Sequence, residues 1–252
     1  MKLALLQIDI QWGNPQENIA RVERLLSQAT DANLYVLPEM WATGFATEPA
    51  GIAENESHSV ALAWMKQQAR LRGCAICGSL AVKMPDGSFR NRHYFVKPEG
   101  VEYYDKHHLF SHGGEDKTFE AGQEHTIVEW KGVRFLLLTC YDLRFPVWSR
   151  YGRAGEYDAI IYVANWPASR QQAWDVLTHA RAIENQCYVI AVNRVGSDQK
   201  TSYQGGSMLI DPIGRTVAES IKNTEQALEA VLSMENLEKA RSRFQVLSDR
   251  DE

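Results

Sequence analysis

Hydrophobic residues run along this chain in short unbroken stretches, separated by segments whose apolar positions recur at helical spacing. Residues 2–10 form the first stretch and read as a strand, interrupted toward its end by Gln7 and Asp9. Asn14-Pro15-Gln16-Glu17 then offers a capping side chain, a proline at the first helical position and an acid at the third, which opens a helix to about Thr30. LYVLPEM (34–40) is a short strand ending at Pro38. Between Ser59 and Leu71, Val60, Leu62, Trp64, Met65 and Ala69 fall at helical spacing, and Gly73 ends that helix. CAICGSLAV follows as a buried strand.

From Asn91 to Asp105 two extended runs flank Pro98-Glu99-Gly100, which is hairpin chemistry, and 111–122 is aperiodic and reads as a loop. The second half repeats the alternation: strands at 125–130 and 133–139, a helix from Pro146, a strand at 159–164, a helix at 170–185, a strand at 187–193 and a hairpin through Asp211-Pro212-Ile213-Gly214. Continuous apolar strands alternating with helices predict an α/β protein with a buried sheet. Strands outnumber helices, which fits two packed sheets with helices outside. No linker, repeat or charge block divides residues 1–252, so one domain is expected.

Composition narrows the function. The 252 residues carry 27 basic and 32 acidic side chains, a net charge of −5 that leaves no basic footprint for nucleic acid. With 10% aromatic residues the chain has apolar surface enough for a core, which argues against disorder. The longest uncharged stretch, Ala159 to Ser169, is too short to span a bilayer, and the N-terminus lacks a signal-peptide core. A chain of this size needs no disulfides among Cys74, Cys77, Cys140 and Cys187, so a reducing, cytoplasmic setting is expected.

The segment VRFLLLTCYDLRFPVWSR is the richest in chemistry. An apolar strand leads into Cys140, and Pro146 opens a helix just beyond, so a thiol stands at the carboxyl end of a strand where ligand crevices form. Backbone N–H groups and a helix N-terminus there are expected to lower the thiol pKa and to bind an oxyanion. A cysteine after an apolar run is ordinarily structural, and Glu39 (in LPEM) and Lys106 (in YDKHHLF) would each ordinarily be solvated charges. Their coincidence carries the argument: a glutamate can take the thiol proton, and a lysine can neutralise a tetrahedral oxyanion.

PEM around Glu39, DKHHLF around Lys106 and LTCYDLRFPVWSR around Cys140 lie 67 and 34 residues apart. In order and spacing they resemble the Glu-Lys-Cys triad of the nitrilase, or carbon–nitrogen hydrolase, superfamily. ANWP (164–167) and HARAIENQCYVIAVNRVG (179–196) are similar to its Nit-type ω-amidase and YafV-like branch. The resemblance implies a four-layer αββα sandwich and a homodimer paired through helices beside the active site. It implies Glu39 as general base, Cys140 as nucleophile, Lys106 and the Tyr141 N–H as oxyanion hole, and Glu115, seven residues before Gly122, as the partner of Lys106. The reaction implied is release of ammonia from the terminal amide of a small α-keto acid monoamide, 2-oxoglutaramate or 2-oxosuccinamate, with no metal or organic cofactor.

The resemblance places Phe45 and Trp166 on the pocket wall. Arg170 is the candidate cation for the substrate carboxylate, while Arg144 and Arg194 read as structural ion-pair partners. Phe45 replaces a family tyrosine, which removes one phenol hydrogen bond. Other small amides, nitriles or N-carbamoyl compounds remain open as substrates, as does a non-catalytic binding protein on this fold. A phosphatase-type Cys-x5-Arg loop would need arginine at 146, which is proline. A papain-like pair could draw on His107, His108 or His179 but leaves Glu39 and Lys106 unexplained. Cys74 and Cys77, three apart on a strand, face opposite sides and read as structural rather than as a zinc site.

Overall fold

The computed structural model describes residues 1–29 and 31–250. Thr30, at the expected end of the first helix, and Asp251 and Glu252 of the C-terminal SDRDE lie outside the described residues. In chain order the strands are β1 (Lys2–Gln7), β2 (Leu34–Val36), β3 (Glu54–Asn55), β4 (Ala75–Lys83), β5 (Phe89–Lys97), β6 (Gly100–Asp105), β7 (Ile127–Trp130), β8 (Val133–Thr139), β9 (Ala159–Ala164), β10 (Tyr188–Asn193), β11 (Val195–Ser197), β12 (Ser202–Gln204), β13 (Met208–Ile210), β14 (Thr216–Glu219) and β15 (Gln226–Val231). The helices are α1 (Pro15–Gln28), α2 (Val60–Arg72), α3 (Pro146–Ser149), α4 (Gln171–Asn185) and α5 (Met234–Arg243).

Two sheets carry the fold. One has the spatial order β15-β1-β2-β4-β5-β6, with β3 beside β4, and the other runs β14-β13-β10-β9-β8-β7. The centre of each is parallel, β1 with β2 and β4 in one and β8 with β9 and β10 in the other. Strand alternation sorts the layers. Leu3, Leu5, Leu34, Val36 and Cys77 point into the core between the sheets, while Ala4, Leu6, Tyr35 and Ile76 pack against Val22 and Leu26 of α1 and Leu62 and Met65 of α2. Phe95 of β5 meets Phe135 of β8 across the inter-sheet core at 5.8 Å between ring centroids. Helix α4 covers the far side of the second sheet through Trp174 and Ala182, completing an αββα sandwich. Among the described residues no helix is long and apolar enough to cross a membrane.

The caps of the first two helices follow the sequence: Asn14 accepts from Glu17 N, Ser59 accepts from Leu62 N, and Gly73 ends α2 in the left-handed region. The helix expected from Pro146 is a single turn. Gly152 and Gly155, at φ of 91° and 102°, curl the chain away soon after it. Strand β15 and helix α5 have no counterpart in the sequence reading. Helix α5 is mostly exposed and β15 is half-buried, with Ala230 and Leu237 their only buried residues, so their apolar signal is weak. Cys74 and Cys77 pack into opposite layers, as their spacing implied.

His93 of β5 is fully buried, with one ring nitrogen 3.2 Å from Leu138 O on the opposite sheet and the other without a partner among the described residues. Burial pushes its pKa down to about 3, from 6.5 when free. The unfolded chain therefore binds this proton first, so the stability tied to neutral His93 is complete above pH 6.5 and is lost as the pH falls toward 3, by up to about 1.4 kcal/mol per pH unit. The expected outcome is that the unfolding free energy of the wild type falls more steeply over that range than that of His93→Gln, as read by denaturant titration.

Candidate active site

Glu39 follows β2, Cys140 follows β8 and Trp166 follows β9, so all three stand at the carboxyl ends of parallel strands, where α/β sheets open a crevice. A Cβ on Gly78 would come within 2.7 Å of Leu37 Cβ, so glycine lets the segment before Glu39 lie across β4. There Met40 N donates to Ser79 Oγ at 2.9 Å. Lys106 extends β6, with its N–H on Asn91 O and its carbonyl receiving Gly122 N–H, both at 3.0 Å. A Cβ on Gly122 would fall 2.1 Å from Asp105 O, so only glycine closes this loop and folds Glu115 back onto Lys106.

Cys140 sits at φ 44°, a left-handed conformation that a non-glycine residue adopts only under constraint from its surroundings. The constraint is Asp142. One of its oxygens accepts from Thr139 N (2.9 Å) and Tyr104 OH (2.8 Å), the other from His108 N (2.9 Å), which fixes the short turn Cys140–Arg144. The first N–H groups of such a turn have no partner within it, and that of Tyr141 is among them.

The charged groups converge out of reach of bulk solvent. Lys106 Nζ donates to Glu39 Oε1 at 2.9 Å and to Glu115 Oε2 at 2.8 Å, and all three side chains are fully buried. Phe110 N also donates to Glu115 Oε2, at 2.7 Å, and Asn165 N to Glu39 Oε2, at 2.9 Å. Burial alone opposes a charge on Lys106, but Glu115 and then Glu39 outweigh it and hold the ammonium above its ordinary range. Burial raises Glu115 against the pull of Lys106, with Glu39 adding to the rise.

The Cys140 thiol departs from the sequence expectation. Burial first, then the Glu39 charge, push it well above its ordinary value, and Lys106 offsets only part of this. The expected lowering rested on a helix N-terminus, and α3 is only one turn long. A thiol in this position stays protonated until a base acts.

A cavity of about 660 Å³ opens onto the site. Cys140, Tyr141, Phe45, Trp166 and Arg170 all lie on its wall, and Lys106 Nζ reaches 5.4 Å from the Phe45 ring centroid. Arg144 corrects its expected role. It lies on the same wall, 5.0 Å over Trp166, with no carboxylate partner among the described residues. Arg194 does pair, with Asp9 at 3.4 Å. The three candidate histidines are engaged elsewhere: His107 with Gly122 O, His108 with Asp142, and His179 with Asp175 O and Thr216 Oγ1.

The profile of the carbon-nitrogen hydrolase family matches residues 2–242. The chain belongs to the carbon–nitrogen hydrolases. This hydrolase is 42% identical to the omega-amidase YafV of Yersinia enterocolitica, over 100% of the chain and 97% of that protein. It is 35% identical to the 2-oxoglutaramate amidase of Bacillus subtilis, over 98% and 96% of the two. A CN-hydrolase superfamily protein of Xanthomonas campestris, with an arsenic adduct in its active site, superposes with a TM-score of 0.94 at 38% identity, covering 100% of this chain and 97% of that one.

Two residues of this hydrolase's site escaped the sequence reading. Asn91 Nδ2 donates to Glu39 Oε1 at 2.8 Å and to Glu115 Oε1 at 2.9 Å. Asn165 holds Glu39 from the other side, its Nδ2 donating to Glu39 O at 2.6 Å in addition to the bond from its backbone N. The only signal for Asn165 was its place in ANWP, and for Asn91 the start of an extended run, since a buried amide leaves no periodicity to read.

Proposed function

We propose that this hydrolase is an ω-amidase, acting through a thioester on Cys140. The observation that carries the reading is the convergence of Glu39 and Glu115 on Lys106 beside a buried, protonated thiol at a cavity wall. Glu39 takes the thiol proton, and the sulfur forms a bond to the amide carbon. The carbonyl oxygen becomes an oxyanion, met by Lys106 Nζ and the Tyr141 N–H. Glu39 returns the proton to the amide nitrogen, the C–N bond breaks and ammonia leaves. Water, deprotonated by Glu39, then attacks the thioester, the C–S bond breaks and the thiol regains its proton. Glu115 holds Lys106 charged and aimed. The chemistry asks for no metal or organic cofactor.

The substrate assignment, a terminal amide on a small α-keto acid such as 2-oxoglutaramate or 2-oxosuccinamate, is supported by the named activities of the two relatives and by two arginines. Arg144 and Arg170 lie on the cavity wall with no carboxylate partner among the described residues, and Phe45 and Trp166 form aromatic wall beside them. A carboxylate opposite such guanidinium groups gains charge-assisted bonds. Replacing either arginine with leucine is expected to raise KM by roughly 10- to 100-fold with a smaller change in kcat, as measured by ammonia release. The reading takes the chain as a single hydrolase domain, working as a homodimer in a reducing, cytoplasmic setting.

The test is a panel of 2-oxoglutaramate, 2-oxosuccinamate, a simple aliphatic nitrile and an N-carbamoyl amino acid. The expected result is a kcat/KM for a keto acid monoamide at least about tenfold above the others. Preference for the nitrile would overturn the amidase reading. No turnover together with no labelling of Cys140 by a thiol probe would favour a binding protein.

A further inference from the structure

Asn91 sits fully buried on β5, beside Lys106, and its side-chain NH2 gives one hydrogen to each of the two carboxylates. The orientation of this amide is forced, because the flipped form would turn Oδ1 toward two anionic oxygens. It is kept even though Oδ1 is left buried with no partner among the described residues, an arrangement that costs free energy. What the two donated bonds do is visible in the lone pairs of Glu39. Oε1 accepts from both Lys106 Nζ and Asn91 Nδ2, so its two in-plane sites are filled. Among the described residues Oε2 accepts from Asn165 N and keeps its second site for the Cys140 thiol, which counts Glu39 among its hydrogen-bond partners.

We propose that Asn91 is a positioning residue that ties Glu39 to Glu115 and saturates Glu39 Oε1, so that the Cys140 proton is taken up and handed on at Oε2. The inference rests on the reading of Glu39 as the base. In the first step the S–H bond breaks and an O–H bond forms at Oε2. In the next that same oxygen gives the proton to the departing nitrogen. With Oε1 closed, one geometry serves both transfers, and the carboxylate cannot turn to offer its other oxygen. Both bonds are donated to carboxylate oxygens, so their loss withdraws two donors that stabilise negative charge there. The titratable and charged groups that face Glu39 are Lys106, Glu115, Cys140 and Tyr203.

The test uses the whole enzyme and a substrate-independent probe, the pH dependence of iodoacetamide alkylation at Cys140 followed by mass spectrometry, alongside kcat, KM and thermal unfolding. Asn91→Leu removes both donors at similar volume, and Asn91→Asp replaces them with a third carboxyl group. The expected result for folded Asn91→Leu is an acid limb of alkylation moved up by about one pH unit, with kcat down roughly 100-fold and KM within about threefold. Asn91→Asp should move the limb further in the same direction. An unmoved limb in both folded variants, or activity lost only in step with unfolding, would overturn the proposal. Glu39→Gln serves as the control: the limb set by the carboxylate should vanish, leaving only the rise from the thiol's own ionisation. If it does not, the base assignment falls and this proposal with it, whereas a limb lost in Glu39→Gln but unmoved in both Asn91 variants removes the Asn91 assignment alone.

Discussion

Cys140→Ala is expected to lower kcat for ammonia release by at least about 10⁴-fold while leaving the fold intact. The size follows from the role: without sulfur there is no acyl acceptor, and what remains is binding and an oxyanion hole around an unactivated water. The fold should tolerate the change because Cys140 is 9% exposed at a cavity wall, so removing its sulfur leaves no closed void in the inter-sheet core. Relief of the left-handed strain at φ 44° is not expected, since alanine meets the same backbone constraint. Steady-state ammonia assays and a thermal melt check both halves of this statement. Cys140→Ser should be nearly as inactive, because a hydroxyl is intrinsically far harder to ionise than the thiol that burial and the Glu39 charge already hold protonated.

Lys106→Met is the second large effect, and it touches stability as well as rate. Among the described residues Lys106 is the sole cation bonded to Glu39 and Glu115, both fully buried, so its loss leaves two carboxylates facing each other in a buried site. Breaking a buried pair in this way costs about 3–5 kcal/mol, and losing the proposed oxyanion donor is expected to cost a further 10²- to 10³-fold in kcat. The sign of the pH dependence follows. In the variant Glu115, already raised by burial, loses the pull of Lys106 and prefers its protonated form, so the deficit against the wild type should be largest at neutral pH and shrink as the pH falls through the carboxylate range. Lys106→Met combined with Glu115→Gln removes one of the facing charges and should recover much of the stability but none of the activity. Denaturant unfolding across pH, paired with ammonia release, separates the two contributions.

How much of this was legible in the sequence depended on the kind of signal each residue leaves. Strands such as β8 and β9 and helices such as α1 and α2 announce themselves because their faces are buried and their caps are chemical: Asn14, Ser59 and Gly73 each do locally what their residue types do best. Strand β15 joins the first sheet as its edge, antiparallel to β1 over six residue pairs, yet only Ala230 is buried and the others are half-buried or exposed, so pairing does much of the holding and little pattern shows. The same division runs through the site. Glu39, Lys106, Glu115 and Cys140 could be singled out by motif, and Gly122 has a physical reason, its close approach to Asp105, for standing where the loop must close. Asn91 and Asn165 act through hydrogen bonds to other side chains, a function that exists only once β5, β6 and the turn after β9 have been brought together. The ionisation of Cys140 was misjudged for a related reason. Helix position is local and readable, but the burial that raises the thiol is a property of the assembled sandwich.

The central claim is covalent: the acyl group of the amide rests on Cys140 before water removes it. Rapid acid quenching of the enzyme during turnover of 2-oxoglutaramate, followed by peptide mass spectrometry, tests it directly. The account predicts a 2-oxoglutaryl adduct on the Cys140 peptide, labile to hydroxylamine as a thioester is, and absent from Cys140→Ala. Sustained turnover with no adduct at Cys140, together with retained activity in Cys140→Ala, would contradict it.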